Sequence, residues 1–187
     1  MNTPEDTEIL RLFSDENSRN AALSLLIKNY QKVLYWHIRK IVINHDDADD
    51  VLQNTFIKIW RGLSNFRGDS ALFTWVYRIA TNESLAMLRS KKQQNTTSIH
   101  PLEYQLSKSL ESDKYFSGDE IQLRLQQAIL TLPEKQRIVF NMRYYDEMPY
   151  EKIAEILETS VGGLKANYHH AVKKIEDYMK EHVNSKN

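Results

Sequence analysis

Residues 150–179 read YEKIAEILETSVGGLKANYHHAVKKIEDYM, and their spacing predicts two helices separated at Glu158-Thr159-Ser160. The first supplies Ile153, Ala154 and Leu157 to a core, with small Ala154 where the second helix must approach closely. Ser160 is placed to cap the second helix by accepting a hydrogen bond from one of its free N–H groups. Leu164, Tyr168, Val172 and Ile175 then recur at i, i+4, i+8 and i+11, which is one face of a helix. Lys165, Ala166, His169, His170 and Lys173 are left on the outer faces, where they can enter a DNA major groove. This is the layout of a helix-turn-helix. A purely structural helical hairpin carries the same stripe, so the segment alone leaves both readings open.

Upstream, helical periodicity runs through Ile121, Leu125, Ala128, Ile129 and Leu132, and Pro133 opens another helix with Ile138, Val139 and Met142. Asp146-Glu147-Met148-Pro149 reads as a turn. Residues 93–118 have Pro101, Gly118, many Ser, Thr, Asn and Gln and no sustained period, which predicts a linker. Before it the pattern predicts four helices. Thr3-Pro4 is a helix start, with Thr as cap and Pro at the first helical position. A second helix starts near Ser18 and carries Leu23, Leu26, Ile27, Tyr30, Leu34, His37 and Ile41. A third starts at Asp46-Asp47 and is ended by Gly62. A fourth, capped by Asp69 or Ser70, runs to about Lys92 with Leu72, Val76, Ile79 and Ala80 inward.

Composition narrows the function classes. The 187 residues contain no cysteine, five glycines and four prolines. That excludes disulfides and thiolate metal sites and suits long helices. No run approaches the ~18 consecutive apolar residues of a membrane helix, and a basic-then-apolar signal is absent at the start. The expectation is a cytoplasmic, all-α protein without membrane insertion. The 25 basic and 25 acidic residues balance, but unevenly along the chain. Residues 1–50 are net acidic, while 51–92 hold seven basic groups against Asp69 and Glu83. Such a block can face a polyanion, with the acidic part left for another partner.

Two surfaces stand out in the N-terminal half. With Leu52, Phe56 and Ile59 inward, the third helix presents Asp50, Gln53, Asn54, Ile57, Lys58 and Arg61, a mixture suited to protein docking or to a plain solvated face. The following stretch interleaves Phe66, Phe73, Trp75 and Tyr77 with Arg67, Arg78, Arg89, Lys91 and Lys92. Aromatic faces can stack on unpaired bases while cations hold phosphates. Phe73 is assigned to the core. The clustered Asp46, Asp47, Asp49 and Asp50 lack the alternation, glycine and closing Glu of a calcium loop. His169 and His170 point about 100° apart on a helix and chelate poorly. No phosphate loop, HExxH or nucleophile elbow is present, so no catalytic residue, metal, cofactor or small-molecule substrate is expected.

DADDVLQNTFIKIW, FRGDSALFTWVYRIATNESLAMLR and LPEKQRIVFNMRYYDEMPYEKIAEILETSVGGLKANYHHAVKKI, in this order and spacing, resemble the extracytoplasmic-function (ECF) sigma factors of bacterial RNA polymerase. The resemblance implies a four-helix region 2 domain at 1–92, a flexible linker at 93–118 and a helix-turn-helix region 4 domain at 119–187. It implies core-polymerase docking through Asp49, Asp50, Gln53, Asn54, Ile57 and Arg61. Capture and melting of the promoter −10 element as single-stranded DNA would fall to Phe66, Arg67, Gly68, Asp69, Trp75, Arg78, Asn82, Arg89, Lys91 and Lys92. Binding of the duplex −35 element would fall to Ser160, Lys165, Ala166, His169, His170 and Lys173. A cognate anti-sigma factor is implied as a further partner. Asn54 stands where the family often has an acid and Glu158 where many members have glycine. The recognition helix also carries fewer arginines, which implies weaker phosphate attraction. The competing readings are a stand-alone helix-turn-helix regulator, which needs a dimer interface, and a purely protein-binding module.

Overall fold

The computed structural model describes residues 2–94, 106, 108, 110 and 120–183. Among them are eight α-helices, and the chain divides into two compact units at Met87/Leu88.

In the first unit, helix α1 (Pro4–Ser14) opens on a reciprocal capping box: Asp6 N–H donates to Thr3 Oγ1 and Thr3 N–H to Asp6 Oδ2, each at 3.1 Å. Two of the orphan donors of the first turn and cap are thereby satisfied locally. Helix α2 (Arg19–Val42) buries Leu26, Tyr30, Leu34, His37, Ile38 and Ile41, close to the expected stripe. It turns at Ile43 into α3 (His45–Gly62), whose cap is Asn44, with Asp47 N–H on Asn44 Oδ1 at 3.1 Å. The aspartates expected at the start of α3 therefore lie inside its first turn.

Helix α4 (Leu72–Gln94) buries Leu72, Val76, Tyr77 and Ala80, and Ile79 is half-buried. Tyr77, 1% exposed, is core, whereas Phe73 is half-buried with its ring stacked on Tyr77 at 4.4 Å, which reverses the expected order. One pair of buried polar groups, His37 on α2 and Thr81 on α4, is matched. Thr81 Oγ1 donates to Tyr77 O at 2.8 Å, so its lone proton is used; His37 Nε2, 2.9 Å away, must then carry the proton it donates to Thr81.

Two local expectations change. Gly62 does end α3, but at an ordinary φ of −86°. Its lack of a side chain makes room: a Cβ there would lie 3.0 Å from Trp75 Cζ2. Neither Asp69 nor Ser70 caps α4 at Leu72. Ser70 Oγ turns onto Ala71 O at 3.3 Å, and the Leu72 N–H donates to Asn2 Oδ1 at 2.6 Å.

The second unit contains α5 (Glu120–Leu130), α6 (Glu134–Tyr144), α7 (Tyr150–Leu157) and α8 (Val161–Val183). Ala128, Ile129, Leu132, Phe140, Ala171 and Ile175 form one buried cluster, with Tyr168, Val172 and Tyr178 packed around it. Helix α8 thus turns Ala171 fully inward and leaves Tyr168 and Val172 at the margin. In α7, Ile153 and Ile156 are buried, while Ala154 and Leu157 are half-buried. Ile121 is a correction at the start of α5: it is 69% exposed, one turn before the core begins. Most of the expected linker lies outside the described residues, apart from 93 and 94 at the end of α4 and three helical positions. Of those, Leu106 and Leu110 are buried.

Candidate functional site

The α3 face is built as the spacing predicts. Asp49, Asp50, Gln53, Asn54, Ile57 and Arg61 are all exposed, and Ile57 is one of the few large apolar side chains left in solvent. Between α2 and α3 runs a groove of about 710 Å³ with Leu23, Ile27, Phe56 and Trp60 along it, Asp49 and Asp50 at one end and Arg61 at the other. Trp60 is held edge-on against Phe13, ring centroids 5.1 Å apart. An apolar floor with opposite charges at its ends suits an amphipathic helix of a protein partner. Leu23, Ile27 and Phe56 had been assigned inward and Trp60 to no role. All four are half-buried, and the signal lay in an α2 stripe broader than one core contact requires.

The second surface is the turn 66–69 together with α4. Gly68 has φ +77° and open space around it, so backbone conformation alone favours glycine there. Arg67 and Asp69 are exposed on either side. Phe66 leans on Trp75, centroids 5.2 Å apart, and Trp75 in turn occupies the space over Gly62. Trp75, Arg78, Asn82 and Arg89 follow at i, i+3, i+7 and i+14, one face of α4; Trp75 and Arg78 are half-buried, Asn82 and Arg89 exposed. Lys58 Nζ contacts Glu83 Oε1 at 2.5 Å and ties α3 to α4. A cavity of about 470 Å³ opens beside the turn against Leu10, Phe13, Arg19, Phe66 and Arg67, with the Arg19 guanidinium 5.3 Å above the Phe13 ring. Aromatic walls with two guanidiniums at hand can stack a base and hold its phosphate. At the end of α4, within the second unit, Arg89 lies 3.5 Å from Glu134, Lys91 is half-buried and Lys92 exposed.

The third surface is the helix-turn-helix. Glu158 adopts φ +52°, ψ +46°, and Thr159 N–H reaches back to Ala154 O at 3.2 Å, closing α7. Ser160 Oγ accepts from Gly163 N–H at 3.2 Å, the expected cap. Lys165, Ala166, His169, His170 and Lys173 are all exposed. The rings of His169 and His170 sit 6.0 Å apart and 58° out of plane. Sequence reasoning passed over Tyr150 and Arg143. Lys165 Nζ and the Arg143 guanidinium lie 5.8 Å and 5.4 Å from the Tyr150 ring centroid. Tyr168 supports that ring edge-on at 6.2 Å, and burial raises its phenol pKa. Tyr150 thereby holds the Lys165 cation at the outer face of α8.

Comparison with known proteins decides what these surfaces belong to. Residues 26–94 match the Sigma-70 region 2 family, and residues 122–175 match Sigma-70, region 4. The RNA polymerase sigma-H factor of Pseudomonas aeruginosa is 32% identical over 163 residues, covering 83% of this chain and 84% of that one. The ECF RNA polymerase sigma-E factor of Escherichia coli K12 is 30% identical over 164 residues, 83% of this chain and 85% of its own. The chain belongs to the ECF sigma factors.

Two solved structures share the fold. CnrH, in complex with the cytosolic domain of CnrY, superposes with a TM-score of 0.69 at 19% identity, covering 95% of this chain and 98% of that one. The sigma factor RpoE, in complex with the anti-sigma factor NepR from Bartonella quintana, gives a TM-score of 0.64 at 22% identity, covering 84% and 96%. The region 2 match takes in the groove except Leu23, the turn and α4, and the region 4 match takes in α6, α7 and most of α8. This sigma factor is a transcription initiation factor that directs RNA polymerase to promoter DNA. Among the described residues no helix is long and apolar enough to cross a membrane, and no group of three or more His, Asp or Glu is arranged to hold a metal ion.

Proposed function

We propose that this sigma factor divides its work among the three surfaces, with residues 1–92 as region 2, 93–118 as linker and 119–187 as region 4. The α3 face and its groove dock on core polymerase through Asp49, Asp50, Gln53, Asn54, Ile57 and Arg61. The turn Phe66–Asp69 and the α4 residues Trp75, Arg78, Asn82, Arg89, Lys91 and Lys92 capture the nontemplate strand of the −10 element. Extruding a base costs a few kcal/mol, which stacking and phosphate contacts must offset. Ser160 sets the start of the recognition helix, and Lys165, Ala166, His169, His170 and Lys173 meet the −35 duplex. The protein acts in the cytoplasm and carries no catalysis of its own. A near-neutral chain suits delivery to DNA by a larger partner, because tethering supplies affinity that bulk charge does not. An anti-sigma factor, the kind of partner bound to RpoE in the Bartonella quintana complex, is the proposed regulator.

The observation that supports this division best is the shared α4 face of Trp75, Arg78 and Asn82 beside the turn that Gly68 makes. Run-off transcription with sigma-free core polymerase tests it. Discrete start sites that require this protein are expected, each with common −35 and −10 sequences. A protein that binds duplex operators tightly as a dimer, without polymerase, would favour the stand-alone regulator instead.

A further inference from the structure

Helix α4 draws a hydrogen-bond acceptor for its start from far along the chain. Its first N–H, at Leu72, donates to Asn2 Oδ1 at 2.6 Å, across 70 residues. Asn2 is itself held in place. The next residue, Thr3, donates its N–H to Asp6 Oδ2 at 3.1 Å, and Asp6 Oδ1 accepts from the Tyr30 hydroxyl at 2.5 Å. Asp6 and Tyr30 are only 3% and 4% exposed. One run of hydrogen-bonded groups therefore leads from the middle of α2, through the cap of α1, to the first turn of α4. That turn contains Trp75, whose N–H donates to Ala71 O at 3.2 Å.

We propose that Asn2 is a positioning residue for promoter opening. Its amide oxygen caps the first N–H of α4, and it fixes the spacing between the Phe66–Asp69 turn and Trp75, Arg78 and Asn82. The inference rests on the reading of that face as the −10 surface. Asn2 need not touch DNA. It sets the geometry of the residues that do, and a frayed first turn of α4 would loosen Trp75 from Phe66. The chemistry requires an acceptor at this position, so aspartate replaces asparagine and alanine does not.

The full-length protein with Asn2→Ala or Asn2→Asp tests this through three readouts: hydrogen exchange at the Leu72 amide in the free protein, affinity for core polymerase, and permanganate reactivity of −10 thymines in the holoenzyme–promoter complex. With Asn2→Ala, exchange at Leu72 rises about fivefold and −10 reactivity falls about fivefold, the factor typical of a lost N-cap. Core affinity stays within about twofold, and Asn2→Asp retains wild-type behaviour in all three. Unchanged exchange or opening in Asn2→Ala overturns the proposal. So does a loss of core affinity equal to the loss of opening, which marks a general folding role. A wild-type protein that opens no promoter overturns the reading of the α4 face and takes this inference with it.

Discussion

Trp75 lies over Gly62 so closely that a Cβ on Gly62 would meet its Cζ2 at 3.0 Å. The glycine that ends α3 is the seat of the aromatic side chain that, with Phe66, forms one edge of the proposed −10 surface. Gly62→Ala sets two effects against each other. Helix propensity favours alanine by up to ~1 kcal/mol, and displacing a packed indole costs ~1–3 kcal/mol. Calorimetry is expected to show a small net loss of stability, with a Tm lowered by a few degrees. Promoter opening is expected to fall further than stability, because Trp75 moves.

Tyr30 and Asp6 form a buried polar pair in the first unit. Burial, followed by the Asp6 carboxylate, raises the Tyr30 phenol well above its ordinary pKa of 10.0. The unfolded chain therefore loses this proton at lower pH than the folded one. The contribution to stability is complete below about pH 10 and declines as pH rises beyond it. Urea midpoints measured against pH are expected to show that decline in the wild type and a weaker one in Tyr30→Phe. At neutral pH the substitution costs ~1.5–3 kcal/mol, because it removes a hydrogen bond to a buried carboxylate.

Glu158 closes α7 in the left-handed region, φ +52° and ψ +46°, with its side chain exposed. A glycine there removes the Cβ penalty of ~1 kcal/mol or more. Glu158→Gly is expected to raise Tm by ~2–4 °C for a chain of this size. Duplex −35 binding should be retained or strengthened, since a negative charge leaves the DNA side. A lowered Tm would show that the contacts of the Glu158 side chain outweigh the strain of its backbone.

Lys165 sits over Tyr150, at the outer face of α8. Lys165→Glu together with His169→Glu is expected to reduce −35-dependent transcription at least tenfold, given ~1–3 kcal/mol per base contact. Polymerase binding should stay unchanged. Unaltered transcription would make this segment a structural hairpin. Tyr150→Leu leaves Lys165 unoriented and should weaken −35 binding less, by about two- to fivefold, in line with ~0.5–1 kcal/mol for an exposed cation over an aromatic ring.

Much of this fold was legible because its signals are local. The Thr3–Asp6 capping box, the α2 stripe, the Ser160 cap and the bounds of α7 each depend on residues within four positions of one another. What escaped was long-range. Nothing near Leu72 in sequence reveals that Asn2 caps it, and Gly62 looks like a stop signal until Trp75 is seen above it. Ile121 continues an apolar period, yet it is 69% exposed. The candidate surfaces followed the same rule. The exposed face of α3 could be read from its period, but the groove needed Leu23 and Ile27 from another helix. Lys165 was visible as an outer residue, whereas its partner Tyr150 lies on α7.

The central claim is that the α4 face captures the opened −10 strand separately from polymerase docking. The most direct test is permanganate footprinting of the −10 element by holoenzyme carrying Arg78→Ala and Arg89→Ala, beside a core-polymerase binding assay on the same protein. The account predicts that −10 reactivity is lost while core binding stays within about twofold of wild type. Wild-type reactivity in the double variant, or loss of polymerase binding in parallel with opening, would contradict it.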